Sequence, residues 1–182
     1  MNFLIDPFLI IFLSSIIVIS AIIDIRIQKI PNLLTFPTMV LGLIYYSITT
    51  GLHGLIFSLE GIALGIAIFI IPYLMGGMGA GDAKLMGAIG AIIGPKGVLL
   101  ASLFTAIVGG VYALTILLLN HKYSKSFIAR NAMTLKTLAL TGQFIPISAD
   151  ESEKKFTLCY GVAIAIGTFF YLILEYYGYN PF

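Results

Sequence analysis

The sequence predicts an all-α, polytopic membrane protein with about six transmembrane helices, one of them short. Three observations carry that prediction. Hydrophobic residues make up 59% of the 182-residue chain and charged residues only 10%, against roughly 25% charged in ordinary soluble domains. Mean hydropathy is +1.05. The apolar residues run continuously over span-length stretches and do not alternate, which disfavours a β-barrel. Lipid offers no water to an open backbone, so each run reads as a helix.

A span takes roughly 20 apolar residues. The first run, 7–23, has no basic stretch ahead and no small-residue cleavage site behind, so it reads as a mature helix and not a signal peptide. The second and third runs, 33–50 and 55–75, are bounded by Ile30-Pro31-Asn32 and Gly51-Leu52-His53-Gly54, both turn chemistry. The glycine-rich run Gly76-Gly77-Met78-Gly79-Ala80-Gly81-Asp82 precedes the fourth, 83–93. That run is short: it crosses part of the bilayer or continues through Gly94-Pro95-Lys96-Gly97. The fifth covers 97–119 and the last 156–177. The longest polar connection is the loop of about residues 120–155. Within it Phe127, Ile128, Leu135, Leu138 and Ala139 fall near one helical face, which predicts an amphipathic helix lying on the membrane surface. Residues 1–182 read as a single membrane-embedded domain without an internal repeat.

Six spans put both termini on one side, and basic residues choose the side. With the termini outside, Arg26, Lys29, Lys84, Lys122, Lys125, Arg130, Lys136, Lys154 and Lys155 face the cytoplasm, and only Lys96 lies outside. Asp24 and Asp82 then share the cytoplasmic edge. An acid at the end of a membrane segment is expensive to keep there and is a functional-site candidate by default. Two such acids suggest a reaction. Like charges at close range cannot both ionise cheaply, so a carboxylate pair holds one proton between its members. The ionised acid takes a proton from water while the protonated one hydrogen-bonds a substrate carbonyl. The chemistry is amide hydrolysis, with no metal or other cofactor. The glycines at 79 and 81 are expected to admit a close backbone approach and to allow φ > 0 beside Asp82. A helix beginning at Ala83 is expected to aim its first N–H groups at Asp82.

The motifs narrow the reaction class. Gly79-Ala80-Gly81-Asp82 resembles the GxGD signature of intramembrane aspartic proteases, which include presenilin-type enzymes and type IV prepilin peptidases. Asp82-Ala83-Lys84-Leu85 is similar to the GD-x-K-L continuation of the prepilin peptidases, and Asp24-Ile25-Arg26 followed by Ile30-Pro31-Asn32 resembles their first-acid segment. The stretch from Tyr160-Gly161 to Gly167 is similar to their last-span motif, with Cys159 where a proline is usual. The resemblance implies an endopeptidase that cuts the leader from type IV pilin-like or archaellin-like precursors at the cytoplasmic face of the cell membrane. It implies Asp24 and Asp82 as catalytic residues, with Gly79, Gly81, Lys84, Pro31, Asn32 and Arg26 shaping the site. A lone cysteine is inconsistent with the paired CxxC motifs of the bifunctional, N-methylating members. The chain therefore resembles the short, peptidase-only form of tight-adherence (Flp) pilus systems or the archaeal preflagellin and prepilin peptidases.

Blander readings stand beside these. Asp24 also reads as a helix-end acid solvated by headgroups or paired with Arg26 or Lys29, and Asp82 as a helix N-cap. Lys84 reads as a snorkelling cation that meets lipid headgroups rather than a catalytic group, and Pro31-Asn32 as a structural turn. Arg26 and Lys29 follow the positive-inside bias. Glu60, too far from the dyad to join it, reads as bonding between helices or snorkelling, and Glu175 as interfacial; His53 and His121 fall in opposite loops, which argues against a shared metal site. Gly61, Gly65, Gly87, Gly90, Gly109 and Gly110 are expected to admit close helix packing. A net charge of +2 gives no reason to expect nucleic acid. The competing functions are a small transporter or proton-coupled channel using the acids as relays, and a non-catalytic membrane subunit of a pilus machine.

Overall fold

The structure is a computed structural model and describes residues 6–74, 77–119 and 159–178, with a few positions between 132 and 140. It contains four principal helices: α1 (Pro7–Ile27), α2 (Asn32–Leu74), α3 (Ala80–Leu119) and α4 (Tyr160–Tyr176). No strand occurs among the described residues. Three helices, Pro7–Ile27, Asn32–Leu74 and the Ala80–Thr115 part of α3, are long and apolar enough to cross a membrane. The 17 residues of α4 are apolar but shorter. Most of the 120–155 loop, with its expected amphipathic helix, lies outside the described residues, as does His121.

Two glycines bend the long helices. At 43 residues, α2 would be about 65 Å long at 1.5 Å per residue, twice a hydrocarbon core. It departs from helical geometry at Gly51 (φ 65°), and α3 does so at Gly94 (φ 72°). Both angles lie in the left-handed region that glycine tolerates. They fall within the two turns expected from sequence. Beyond Gly51 the second arm of α2 returns along the first, packing Phe57 against Tyr46 with ring centroids 5.1 Å apart. Pro95 offers no N–H to the carbonyl of Ala91 four residues back. Ser58 Oγ donates to that carbonyl instead, at 2.8 Å, and Tyr46 OH donates to the neighbouring Ile92 carbonyl at 2.7 Å. The bend in α3 is thus satisfied by hydroxyls from both arms of α2.

The first arm of α3 is the centre of the molecule. Leu85, Met86, Ala88, Ile89, Ala91 and Ile92 are all fully buried, on every face of the helix, as an apolar helix needs when surrounded by others. Both arms of α2 pack on it. A Cβ on either Gly61 or Gly90 would run into the other's carbonyl, so the two backbones touch there. Gly65 packs closely on the Met86 carbonyl and Gly87 on the Ile66 and Met39 side chains, and Gly109 closes on Tyr160, as expected. Gly110 departs from that expectation, because a Cβ there would meet nothing within 4 Å. The second arm of α3 packs on α4, and α4 in turn carries α1. In α1 the buried residues Leu9, Leu13, Ile17, Ser20 and Asp24 form one stripe at helical spacing. The same periodicity that seals three apolar side chains into the core brings Asp24 inward at the far end.

Candidate active site

Asp24 lies in the last full turn of α1 and is 5% exposed; Asp82 lies in the first turn of α3 and is 6% exposed. Burying a carboxylate requires hydrogen-bond partners, and each acid has a backbone amide. The Gly161 N–H at the start of α4 donates to Asp24 Oδ2 at 2.8 Å. The Gly79 N–H donates to Asp82 Oδ2 at 2.9 Å. Both acids line one cavity of about 490 Å³, together with Gln28, Lys29, Ile30, Asn32, the Gly77–Gly81 segment and Lys84.

Local chemistry explains each placement. α1 ends when Gln28 takes the left-handed conformation (φ 55°) and returns its N–H to the Asp24 carbonyl at 2.9 Å. Ile30 then tucks inward, 7% exposed, against Gly81. A Cβ on Gly81 would sit 3.1–3.3 Å from the Ile30 Cβ, oxygen and nitrogen. The expected close approach is therefore made at Gly81, and its partner is the α1–α2 turn. The expected positive φ is not: neither Gly79 nor Gly81 adopts it. The start of α3 also differs from expectation. The helix begins at Ala80 and not at Ala83, so Asp82 sits at the third helical position and Gly79 is the cap. An acid at that position reaches back to the cap's own N–H, which is half of a capping box. That is the bond observed.

The remaining motif residues separate into two groups. Lys84 Nζ donates to Asn32 Oδ1 at 2.9 Å and lies over the Phe36 ring, 5.4 Å from its centre. The IPN and GD-x-K motifs are thereby tied together at the cavity's edge. Pro31 accepts the Leu34 N–H at 3.1 Å and starts α2 without lining the cavity. Arg26 is exposed and does not line it either. Glu175 accepts from Tyr171 OH at 3.2 Å, far along α4 from the acids. One residue of the site was missing from the sequence reading, although its motif was noted: Gly161. A Cβ there would stand 2.9 Å from both Cβ and Oδ2 of Asp24, so only glycine fits. Cys159 lies beside it, its thiol 3.9 Å from the Asp24 carbonyl.

Comparison with known proteins follows this geometry. The profile of the type IV leader peptidase family matches residues 11–114, more than half of the chain. The chain belongs to the type IV leader peptidase family. No curated protein and no solved structure matches it. The family match contains both acids and every cavity residue. It stops short of α4, yet α4 supplies the amide that holds Asp24. Membership makes the chain a peptidase, and its apolar helices make it an integral membrane protein.

Proposed function

We propose that this type IV leader peptidase is an aspartic endopeptidase in which Asp24 and Asp82 activate one water molecule. The observation that carries the reading is the convergence of two buried carboxylates, 58 positions apart in sequence and on different helices, on one cavity. Each has Oδ2 engaged by a backbone amide, which leaves Oδ1 of each for the chemistry. The ionised member removes a proton from water as the oxygen attacks the scissile carbonyl carbon. The protonated member hydrogen-bonds the carbonyl oxygen and stabilises the tetrahedral intermediate. The departing amine then takes a proton from the pair, and the shared proton is restored. Gly79 and Gly81 keep side chains away from this point, and Lys84 with Asn32 holds the cavity's rim. Pro31 and Arg26 act on the turn and on orientation in the membrane.

The substrate in this reading is a pilin-like or archaellin-like precursor. Its leader is cut at the cytoplasmic face of the cell membrane, with the apolar segment held among the spans. The six helical arms are six spans of one domain, with both termini outside. The distribution of lysine and arginine supports that orientation. Membranes carrying the wild-type protein, Asp24→Asn or Asp82→Asn, mixed with a candidate precursor, test it. Cleavage by the wild type and by neither variant, at equal expression, is the expected result; cleavage by either variant overturns the dyad.

A further inference from the structure

A second cavity, of about 250 Å³, lies between the second arms of α2 and α3. It is lined by Ile68, Phe69, Pro72, Met78, Ala106 and Tyr160, with Gly109, Gly110, Ser102 and Thr105. The Ser102 and Thr105 hydroxyl protons are committed within their own helix: Ser102 Oγ donates to the Val98 carbonyl at 2.6 Å, and Thr105 Oγ1 to the Ala101 carbonyl at 2.7 Å. The surface presented is therefore largely apolar. An apolar cavity of ~150 Å³ is enough for a benzene ring, so this one has room for the side chain of a leucine, methionine or phenylalanine.

Its position gives it a purpose. Met78 lines both this cavity and the one that holds the acids. Met78 is also the chain neighbour of Gly79, whose N–H holds Asp82, and Tyr160 is the neighbour of Gly161, whose N–H holds Asp24. The apolar cavity thus abuts both anchors of the acid pair. On the peptidase reading above, on which this inference rests, we propose that it is a side-chain subsite: it receives one large apolar residue of the precursor adjacent to the scissile bond. A peptide crossing the acids is held in register by that residue, and the fit of the side chain places the scissile carbonyl between the carboxylates. Register chosen this way raises kcat as well as affinity, since it serves the transition state.

Gly110 and Ala106 are the places to test it, because both line the cavity, both are exposed, and a Cβ on Gly110 meets nothing. Leucine at either position fills the cavity, and at 110 it also favours the helix relative to the native glycine. Two precursors differing only in the apolar residue beside the scissile bond, leucine in one and alanine in the other, are offered to the wild type, Gly110→Leu and Ala106→Leu. The readout is the ratio of kcat/KM for the two precursors. The wild type is expected to favour leucine by about tenfold or more, the scale of a methylene-level fit in an apolar pocket. Both filled variants are expected to bring that ratio to near unity. Leu114→Phe, an exposed site of the same arm outside the cavity, retains the wild-type ratio. Equal cleavage of both precursors by the wild type, or a wild-type ratio in both filled variants, overturns the subsite and leaves the dyad standing. A wild-type protein that cleaves neither precursor overturns the peptidase reading, and the subsite with it.

Discussion

The Asp24 carboxylate accepts the Gly161 N–H at 2.8 Å across 137 residues of chain. This bond docks the start of α4 on the end of α1, and it fixes one acid of the pair while the Gly79 N–H fixes the other at 2.9 Å. Alanine at 161 would place a Cβ 2.9 Å from Asp24 Oδ2 and force the two apart. A hydrogen bond to a charged group contributes about 1.5–3 kcal/mol, or roughly a 10- to 150-fold change in rate. Gly161→Ala is expected to lose kcat on that scale with KM little changed, in a protein that keeps its helical circular dichroism. A large rise in KM at unchanged kcat would assign Gly161 to substrate binding instead.

If Asp24 and Asp82 share a proton as proposed, kcat/KM acquires a pH dependence whose sign follows from their two roles. At low pH both carboxyls are protonated and no base remains to activate water. At high pH both are ionised and nothing donates to the carbonyl oxygen. The rate kcat/KM is expected to fall on both sides of a maximum, measured with one precursor in buffers of constant ionic strength. A profile that climbs to a plateau with no basic limb contradicts a two-acid mechanism.

Among the described residues Lys84 makes an exposed hydrogen bond to Asn32 and lies over the Phe36 ring, and neither contact involves Asp24 or Asp82. Bonds of this kind contribute about 0.5–1.5 kcal/mol. Lys84→Met and Asn32→Leu are each expected to keep activity within about tenfold of wild type and to lower the melting temperature slightly. Complete loss in Lys84→Met alone would make the ammonium a participant.

The bend at Gly94 and Pro95 rests on two hydroxyls. Removing Ser58 Oγ strands the Ala91 carbonyl in the buried centre of the bundle, and a stranded acceptor costs about 1–3 kcal/mol. Ser58→Ala and Tyr46→Phe are expected to destabilise the protein in detergent by that order while leaving kcat intact at permissive temperature. Unchanged stability in both would mean that water replaces the hydroxyls.

Much of this was legible in the sequence, for reasons specific to the residues. Gly51 and Gly94-Pro95 read as breaks because few other residues tolerate those dihedrals, and the structure bends there. Asp24 and Asp82 were legible as a pair because acids are costly at the ends of apolar helices. The start of α3 was misplaced because an acid beside a glycine run was taken as the cap. The glycine itself caps the helix, and the acid serves from the third position. The φ > 0 expectation failed at Gly79 and Gly81 for a related reason: what Gly81 supplies is room for Ile30, a contact with a distant turn. Gly161 was missed as a site residue because its contact depends on how α4 docks, which local pattern does not encode. Gly110, read as a packing glycine, borders open space.

The central claim is that Asp24 and Asp82 act as one unit. The most direct measurement compares kcat for Asp24→Asn, Asp82→Asn and the double variant on one precursor. Residues acting as a unit are strongly non-additive, so each single change is expected to remove about as much activity as both together. Cleavage near the wild-type rate by either single variant, or losses that multiply in the double, would contradict the account.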